Sequence, residues 1–301
     1  MFLDFGSPVR EWVEGPEPPP SLAASSGMTT EPVRAGADWL ALRECADADA
    51  RSADLVEELR PHLPRGRVLQ VHDLGCGTGS MARWLAPRLP GAQHWVLSDR
   101  DADLLPLAAA DAPSVASDGA PITVETEQRD ITRLDPGALA GASLITASAL
   151  LDMMTTEELR RFVETCAEPG CPVLVALTVT GLVDLTPADP RDQRFAAAFN
   201  DHQRRPSPAG SRLGPDALEA AVDGFSRVGL EVLVRPSPWR LGADRSALIT
   251  AWLDGWVGPA CQQRPELEEV RHSYVRRRLT ELDDGRLSIT VHHQDLLARP
   301  T

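Results

Sequence analysis

The feature that most constrains this chain is a glycine-rich loop that directly follows a short apolar run. The run covers residues 68–71 and leads to Asp73, and residues 73–79 read D-L-G-C-G-T-G. A helix-like segment begins at Ser80. Glycine permits a positive φ and lets a ligand approach the backbone closely, and a helix N-terminus favours a negatively charged group. The pattern predicts a strand, a tight turn and a helix that together cradle a nucleotide-like ligand.

The spacing of the glycines narrows the choice of ligand. A dinucleotide fingerprint reads G-x-G-x-x-G, and Ser80 stands where its third glycine would be. The D-x-G-x-G-x-G loop instead resembles motif I of the class I S-adenosylmethionine (SAM)-dependent methyltransferases. The resemblance implies that the loop lies against the methionine part of SAM and that its leading acid helps to position it. The residues concerned are Asp73, Gly75, Cys76, Gly77 and Gly79. An ordinary strand–helix turn is the alternative for a lone glycine loop.

A second apolar run supports the same interpretation. It covers residues 95–97 and ends at Asp99, about 20 residues past the glycine loop. An acid at this place is positioned to accept hydrogen bonds from two ribose hydroxyls. Asp99 and Arg100 resemble the family's motif II, which implies that they contact the cofactor.

Two further strand-like segments end beside polar residues. Apolar and polar side chains alternate over residues 122–124, and this segment leads to Asp130 and Ile131. The resemblance implies that Asp130 lies near the adenine amino group and that Ile131 meets the adenine ring; a simple turn acid is the alternative for Asp130. Residues 144–152 form the fourth run, and its small residues, including Ser148, are expected to face a ligand crevice.

The order of these segments predicts the fold. Apolar runs alternate with helix-like segments, and residues 171–180 form a nearly continuous apolar strand. This alternation is typical of a parallel, doubly wound sheet that binds ligands at the carboxyl ends of its strands. Residues 287–293 match the antiparallel seventh strand of the family. We therefore predict an α/β fold with a doubly wound, seven-stranded, mostly parallel sheet. Specific motifs cover residues 66–180, and the resemblance extends more loosely over 35–297.

The remaining segments suggest the domain organisation. Residues 1–30 are rich in Pro, Gly, Ser and Glu and are predicted to form a disordered tail. Residues 31–301 are predicted to form a single SAM-dependent methyltransferase domain. In that domain, residues 35–62 are a helical cover over the SAM pocket, and residues 182–212 and 242–282 are substrate lid insertions.

Three side chains of the helical cover are candidates to contact SAM or the substrate. These are Trp39, Arg43 and Arg51. A packed helix with solvated arginines is the alternative for each.

Charge and cysteine content limit the partners and the compartment. The chain carries 44 acidic and 30 basic residues, a net charge of −14, which argues against nucleic-acid binding because phosphates require a basic face. Every basic residue is arginine, which excludes a Schiff-base or P-loop lysine. Five cysteines without a CxxC pair predict a reduced cytoplasmic location, and no apolar stretch is long enough for a membrane span. No Cys and His set has metal-ligand spacing, so no metal site is expected.

Methyl transfer from a sulfonium requires the nucleophile to be held in line with the C–S bond, about 3 Å from the methyl carbon. A hydroxyl nucleophile also benefits from a general base. The candidates for this catalytic role are His202 in the predicted lid, Asp152 at the fourth strand end, and His292, with its neighbour His293, in the last strand. A satisfied core or surface residue is the alternative for each.

The predicted function is transfer of a methyl group from SAM to O, N or C of a small-molecule metabolite. The fourth strand lacks the [DN]-P-P-[YF] motif of enzymes that methylate nitrogens of DNA, RNA or protein. A non-catalytic SAM-binding sensor or scaffold is the main alternative, and a nicotinamide-dependent oxidoreductase is a weaker one. The expected partners are a small-molecule substrate and, for some helices outside the sheet, a second copy in a homodimer; neither nucleic acid nor membrane is expected.

Overall fold

The computed structural model describes residues 35–135 and 137–301. The tail predicted at residues 1–30 lies outside the described residues. The helices of the described part are α1 (Ala37–Ala50), α2 (Ala53–Leu59), α3 (Ser80–Leu85), α4 (Leu105–Ala110), α5 (Thr156–Ala167), α6 (Asp192–Gln203), α7 (Ala217–Arg227), α8 (Ser246–Gln263) and α9 (Glu268–Asp283). None of the helices so described combines the length and the apolar character that crossing a bilayer requires.

The strands form one large sheet and one small hairpin. They are β1 (Leu69–Leu74), β2 (Gln93–Asp99), β3 (Ile122–Gln128), β4 (Leu144–Ser148), β5 (Val173–Thr186), β6 (Pro206–Ser207), β7 (Gly210–Ser211), β8 (Glu231–Pro236), β9 (Trp239–Leu241) and β10 (Ser288–Arg299). The large sheet has the order β3-β2-β1-β4-β5-β10-β8. Strands β1 to β5 pair in parallel, and β10 is antiparallel to β5 and β8. The predicted seven-stranded, mostly parallel fold is confirmed; β9 is an additional short strand paired with β10.

The central strands are buried on both faces because alternate residues pack against helices on opposite sides. Along β5, Leu174 and Ala176 share one apolar core with residues of α2, α3 and α4. Val173 and Val175 share another core with residues of α5 and α7. This is the doubly wound arrangement, and it aligns the carboxyl ends of β1, β2 and β4 along one edge.

A third apolar core surrounds α8. Leu248, Trp252 and Trp256, a stripe that the sequence suggests is core, are at most 2% exposed. The rings of Trp252 and Trp256 stack with their centroids 5.0 Å apart. Residues of α1, α6 and α9 complete this core. The segment 242–282, predicted to be a substrate insertion, thus forms α8 and α9 and uses its apolar side chains for packing.

Two strands are longer than the sequence pattern indicates. The apolar runs predict strands at 171–180 and 287–293, whereas β5 continues to Thr186 and β10 to Arg299. The two strands pair with each other from one end to the other. Their mutual hydrogen bonds extend both strands beyond the point where the apolar pattern ends.

Candidate active site

The glycine-rich loop, residues 75–79, connects β1 to α3 at the carboxyl edge of the sheet. Gly77 and Gly79 adopt φ angles of 55° and 84°. A Cβ on Gly79 would lie 3.2 Å from the backbone Cα and O of Ala108 in α4, so glycine is required for this close packing. A Cβ on Gly77 would meet the side chain of Leu40 at 3.2 Å. Gly77 therefore presents bare backbone to the space beneath α1.

Asp99 stands at the end of β2 with its carboxylate fixed by backbone groups. Its Oδ2 accepts a hydrogen bond from the N–H of Gly77 at 2.9 Å, and its Oδ1 accepts one from the N–H of Asp101 at 2.9 Å. Each carboxylate oxygen can accept a second hydrogen bond. The side chain is half-buried and lines a cavity. This geometry suits a ligand that offers two neighbouring hydroxyls.

Asp73, at the end of β1, is buried and lines the same cavity. Its Oδ1 accepts a hydrogen bond from Thr146 Oγ1 at 2.6 Å, while its Oδ2 has no partner among the described residues. Burial raises the pKa of Asp73 to about 6, although the Thr146 hydroxyl and the nearby Arg51 act in the opposite direction. A buried oxygen without a partner is costly, so the site favours a ligand that donates a hydrogen bond here.

The side chain of Arg51 links three elements near the glycine-rich loop by hydrogen bonds. Its Nη2 donates to Ser80 Oγ at 3.0 Å and to Ser148 Oγ at 3.2 Å, which links the end of α1 to α3 and β4. Burial lowers the pKa of Arg51, and the nearby Asp47 opposes this shift. The guanidinium thus orients the Ser148 hydroxyl in the cavity wall.

The cover helix α1 contributes directly to the cavity wall. Arg43 lines the cavity and forms a two-pronged ion pair with Asp47, with Nε and Nη2 at 2.9 and 3.0 Å from the carboxylate oxygens. The Arg43 guanidinium also lies 4.8 Å from the ring centroid of Trp239. Trp39 packs against Trp239 with ring centroids 6.3 Å apart, which places it in the core around α8.

Asp130 and Ile131 follow β3 and line the cavity. Asp130 Oδ1 accepts hydrogen bonds from the backbone N–H and the hydroxyl of Thr132, at 3.0 and 2.7 Å. Asp130 therefore caps a short 3-10 turn, and it also borders the cavity. Asp130 can therefore be both a turn acid and a residue that contacts a ligand.

The structure brings nine of the ten predicted cofactor residues into one cavity wall. These are Asp73, Gly75, Cys76, Gly77, Asp99, Arg100, Asp130, Ile131 and Ser148. The tenth, Gly79, packs against α4 instead. Burial raises the pKa of the Cys76 thiol, so this side chain stays protonated and acts as a small packing group.

The catalytic candidate His202 does not line the cavity. It is buried on α6 in the same stripe as Phe195, Ala198 and Phe199. Residues three and four apart share one face of a helix, and this face packs into the core around α8. The structure thus places His202 away from the cavity wall, and its catalytic role stays a prediction.

Asp152 and His292 also lie outside the cavity wall. Asp152 is buried behind it, with Oδ2 3.4 Å from the amide Nε2 of Gln203. His292 Nε2 contacts Asp184 Oδ2 at 2.7 Å across β10 and β5. Its neighbour His293 is buried against Trp239, and burial lowers the pKa of its imidazole well below the usual value. The alternation of β10 sends these two histidines to opposite faces, neither of which borders the cavity.

The cavity, about 750 Å³ in volume, is also lined by residues beyond the strand ends, and we call this part of its wall the arm. The chain turns at Ala149, whose φ is 54°, and then runs through Leu150, Met153 and Met154 along the wall. A Cβ on Gly75 would lie 3.3 Å from Leu150 Cδ1, so this segment starts beside the glycine loop. The arm is lined by Met153, Met154, Glu158, Arg161, Arg205, Pro206, Ser207, Pro208, Ala209 and Arg212.

The hairpin β6–β7 is fixed to the start of α5. The N–H of Leu213 donates to the carbonyl oxygen of Met154 at 2.8 Å, and Arg212 forms a backbone bridge with Thr155. Thr155 and Glu158 form a reciprocal capping box. Of the predicted lid at 182–212, only the residues in and beside this hairpin line the cavity.

Sequence reasoning missed the arm, although one signal pointed to it. The T-x-x-E capping box fixes where α5 begins, and therefore which of its residues share a face with Glu158. Arg161 lies three residues further on and shares that face. The position of the hairpin opposite this face depends on tertiary packing, which no local pattern contains.

A family model described as a methyltransferase domain matches residues 71–169, about a third of the chain. This range contains the glycine loop, the acids that follow β1, β2 and β3, and the start of the arm. The resemblance to class I SAM-dependent methyltransferases is confirmed over this range. SAM is the methyl donor of that family and is the cofactor of this domain. No curated protein sequence matches the chain.

Several solved structures are similar to this chain. The YcgJ protein from Bacillus subtilis matches with a TM-score of 0.45 and 13% identity, over 83% of this chain and 100% of that one. The cyclopropane synthase MmaA2 from Mycobacterium tuberculosis matches with a TM-score of 0.43 and 13% identity, over 82% and 83%. A geranyl diphosphate C-methyltransferase from Streptomyces coelicolor A3(2) matches with a TM-score of 0.39 and 12% identity, over 83% and 77%.

Proposed function

We propose that the chain transfers a methyl group from SAM to O, N or C of a small-molecule metabolite, because a model of a methyltransferase domain matches residues 71–169. The observation that carries this proposal is the single cavity that joins the strand ends to the arm. A protein that transfers a methyl group needs space for a donor and an acceptor side by side. In this proposal the donor occupies the strand ends and the acceptor occupies the arm.

The residues at the strand ends fit SAM. The Asp99 carboxylate would accept hydrogen bonds from the two ribose hydroxyls, and the bare backbone at Gly77 leaves room for the amino-acid end. The ammonium group of SAM is a donor that suits Asp73 Oδ2, the oxygen without a partner. Asp130 and Ile131 are assigned to the adenine. When bound, SAM supplies an electrophilic methyl group on a positively charged sulfur.

The protein's contribution to the transfer is mainly orientation and exclusion of water. Leu150, Met153 and Met154 form an apolar section of the cavity wall between the glycine loop and the hairpin. An acceptor held in the arm would meet the donor beside this section. His202, Asp152 and His292 have no part in this proposal because none of them borders the cavity.

The non-catalytic alternative makes a different demand on the structure. A SAM sensor or scaffold needs the strand ends but not the arm. The arm beneath the hairpin therefore supports the enzyme. The proposal retains the cytoplasmic location, to which the five free cysteines are suited, and the possible homodimer as predictions.

The proposal is tested with methyl-labelled SAM and a metabolite extract from the source cell, followed by mass spectrometry. The expected result is a labelled product in the small-molecule fraction that is absent when Asp99→Ala replaces the wild-type protein. Asp111→Ala, which removes an exposed acid outside the cavity wall, is the matched control and should retain the product. SAM binding without any labelled small molecule, in any extract, would favour the sensor.

A further inference from the structure

Asp295 is a buried carboxylic acid within strand β10, only 2% exposed. Burying a carboxylate is unfavourable unless its oxygens accept hydrogen bonds. Its Oδ1 accepts one from the backbone N–H of Leu177 at 2.8 Å, and its Oδ2 accepts one from the backbone N–H of Ser52 at 2.7 Å. The two donors are distant in the sequence, so this single side chain joins β5 to the junction between α1 and α2.

Strand β5 has a bulge opposite Asp295. Ala176 and Leu177 together oppose this one residue, where a regular ladder would have a single partner. Leu177 adopts a φ of 57°, a left-handed conformation that is strained for a residue with a side chain. A bulge leaves a backbone N–H outside the ladder, and the carboxylate of Asp295 accepts it. Asp295 therefore holds a strained point of β5 in place.

The first series of contacts runs from Asp295 through one peptide group to the cavity wall. Asp295 accepts the N–H of the peptide group between Ala176 and Leu177. The C=O of the same group accepts a hydrogen bond from the N–H of Ala149 at 2.9 Å. Because a peptide group is planar, fixing its N–H also fixes the direction of its C=O. Ala149 lines the cavity and itself has a φ of 54°, so Asp295 supports the turn that leaves β4.

The second series of contacts leads from Asp295 to the neighbouring residue of the same wall. The N–H of Ser52 belongs to the peptide group that follows Arg51, so the hydrogen bond to Asp295 fixes the backbone from which the Arg51 side chain extends. Arg51 Nη2 donates to Ser148 Oγ at 3.2 Å, and Ser148 lines the cavity. The two series of contacts therefore end at adjacent residues.

We propose that Asp295 is a positioning residue for the cofactor site, which it serves by fixing Ser148 and Ala149 in the cavity wall. Asp295 does not itself line the cavity, and it lies outside the range 71–169 that the methyltransferase model matches. This inference rests on the proposed function, because it concerns the part of the cavity assigned to SAM.

The first test is calorimetry of the full-length protein with S-adenosylhomocysteine (SAH), comparing the wild type with Asp295→Asn. An amide has one acceptor oxygen, so one of the two backbone N–H groups loses its acceptor. We expect the affinity for SAH to fall by about tenfold, because the wall is then held by only one of its two supports.

Glu281→Gln is the matched control. Glu281 is also a buried acid, 4% exposed, but it pairs with Arg277 and Arg278 on its own helix and does not line the cavity. This variant should lower the free energy of unfolding in denaturant titrations and change the affinity for SAH by less than about twofold. A purely structural role for Asp295 would give the two variants the same unchanged affinity.

Two variants of Ser52 isolate one of the hydrogen bonds to Asp295. Ser52 has a φ of −72°, which proline can adopt, so Ser52→Pro deletes the N–H at a compatible backbone position. Ser52→Ala retains that N–H and removes only the hydroxyl, which accepts from the N–H of Leu55. We expect Ser52→Pro to bind SAH about fivefold more weakly than Ser52→Ala. This pair provides the test if Asp295→Asn does not fold.

Coupling between Ser52 and Ser148 tests whether the effect passes through the cavity wall. Ser148→Ala alone is expected to weaken SAH binding by about threefold. Once Ser52→Pro has released Arg51, Ser148→Ala should add little, so the double variant should lose about fivefold rather than about fifteenfold. A general loss of stability would not produce this coupling, and a loss equal to the product of the two single effects would contradict the inference.

The wild-type protein separates the two proposals. A wild type that does not bind SAH would overturn the proposed function itself. If the wild type binds SAH and both Asp295→Asn and Ser52→Pro bind it within about twofold of the wild-type affinity, the inference alone is wrong. An equal loss of affinity in Glu281→Gln would also contradict it, since the loss would then follow stability and not position.

Discussion

Two parts of the cavity wall are built in different ways. The first consists of strand ends, one glycine loop and part of α1, and several of its side chains are fixed by backbone N–H groups and by the buried Arg51. The arm consists of one helical face and a two-stranded hairpin, which hydrogen bonds join at Met154 and Thr155. Acids outnumber arginines in the first part of the wall, whereas arginines outnumber acids in the arm. In the proposed function the first part holds the donor and the arm holds the acceptor, so substitutions in the two parts should have different effects.

The largest effect should come from Asp99→Ala. This change removes the acceptor for the ribose hydroxyls and leaves the N–H groups of Gly77 and Asp101 without a partner. We expect the affinity for SAH to fall by about a hundredfold, because a charged acceptor of two hydrogen bonds is lost. Calorimetry measures the affinity, with Asp111→Ala as control. A change of less than fivefold would mean that the strand ends do not hold the sugar.

The Asp73→Asn variant tests whether the charge of this carboxylate contributes to cofactor binding. The amide can still accept the Thr146 hydrogen bond but has no charge to attract an ammonium group. We expect SAH affinity to fall by about tenfold in the same calorimetric assay. Unchanged affinity would remove Asp73 from the cofactor site.

In the absence of ligand, the Asp73→Asn variant should also change how the free energy of unfolding depends on pH. Burial raises the pKa of Asp73 in the folded state to about 6, from 3.8. Folding therefore favours the protonated acid, and this stabilisation is full below pH 3.8 and lost as the pH rises through about 6. Denaturant titrations should show that the free energy of unfolding of Asp73→Asn, relative to that of the wild type, rises by about 1–3 kcal/mol between pH 4 and pH 7. A constant difference across this range would contradict the raised pKa.

The smallest effect should come from Ser148→Ala. It removes one of the two serine hydroxyls that accept from Arg51 Nη2, while the bond to Ser80 Oγ remains. We expect about a threefold loss of SAH affinity and a stability loss of about 1 kcal/mol, measured by calorimetry and denaturant unfolding. A larger loss than that of Asp73→Asn would make Ser148 a principal ligand group.

The contrast between the two parts of the wall also explains what could be predicted from the sequence. Asp73, Asp99 and Asp130 each follow an apolar run, and parallel strands bring such residues to one edge. The arm depends on where a hairpin at 206–211 packs, and that position is set by contacts with Met154 and Thr155. The burial of His202 could not be predicted from its position in the chain, because it depends on the packing of its helical stripe, shared with Phe195 and Phe199, against the core around α8.

The lengths of the strands show the same limit. The alternation of apolar residues locates the centre of β5 and of β10, but their ends depend on mutual pairing. Trp252 and Trp256 could be predicted as core residues because their spacing on one helix is a local pattern. The helices that surround these two residues could not be predicted, because they are brought there by tertiary packing.

The most direct test of the account is a crystal structure of the full-length protein with SAH bound. The account predicts the ribose hydroxyls on the carboxylate of Asp99, the ammonium group beside Asp73 Oδ2, and the sulfur directed towards the arm. SAH bound anywhere else, or with its sulfur turned away from the arm, would contradict it.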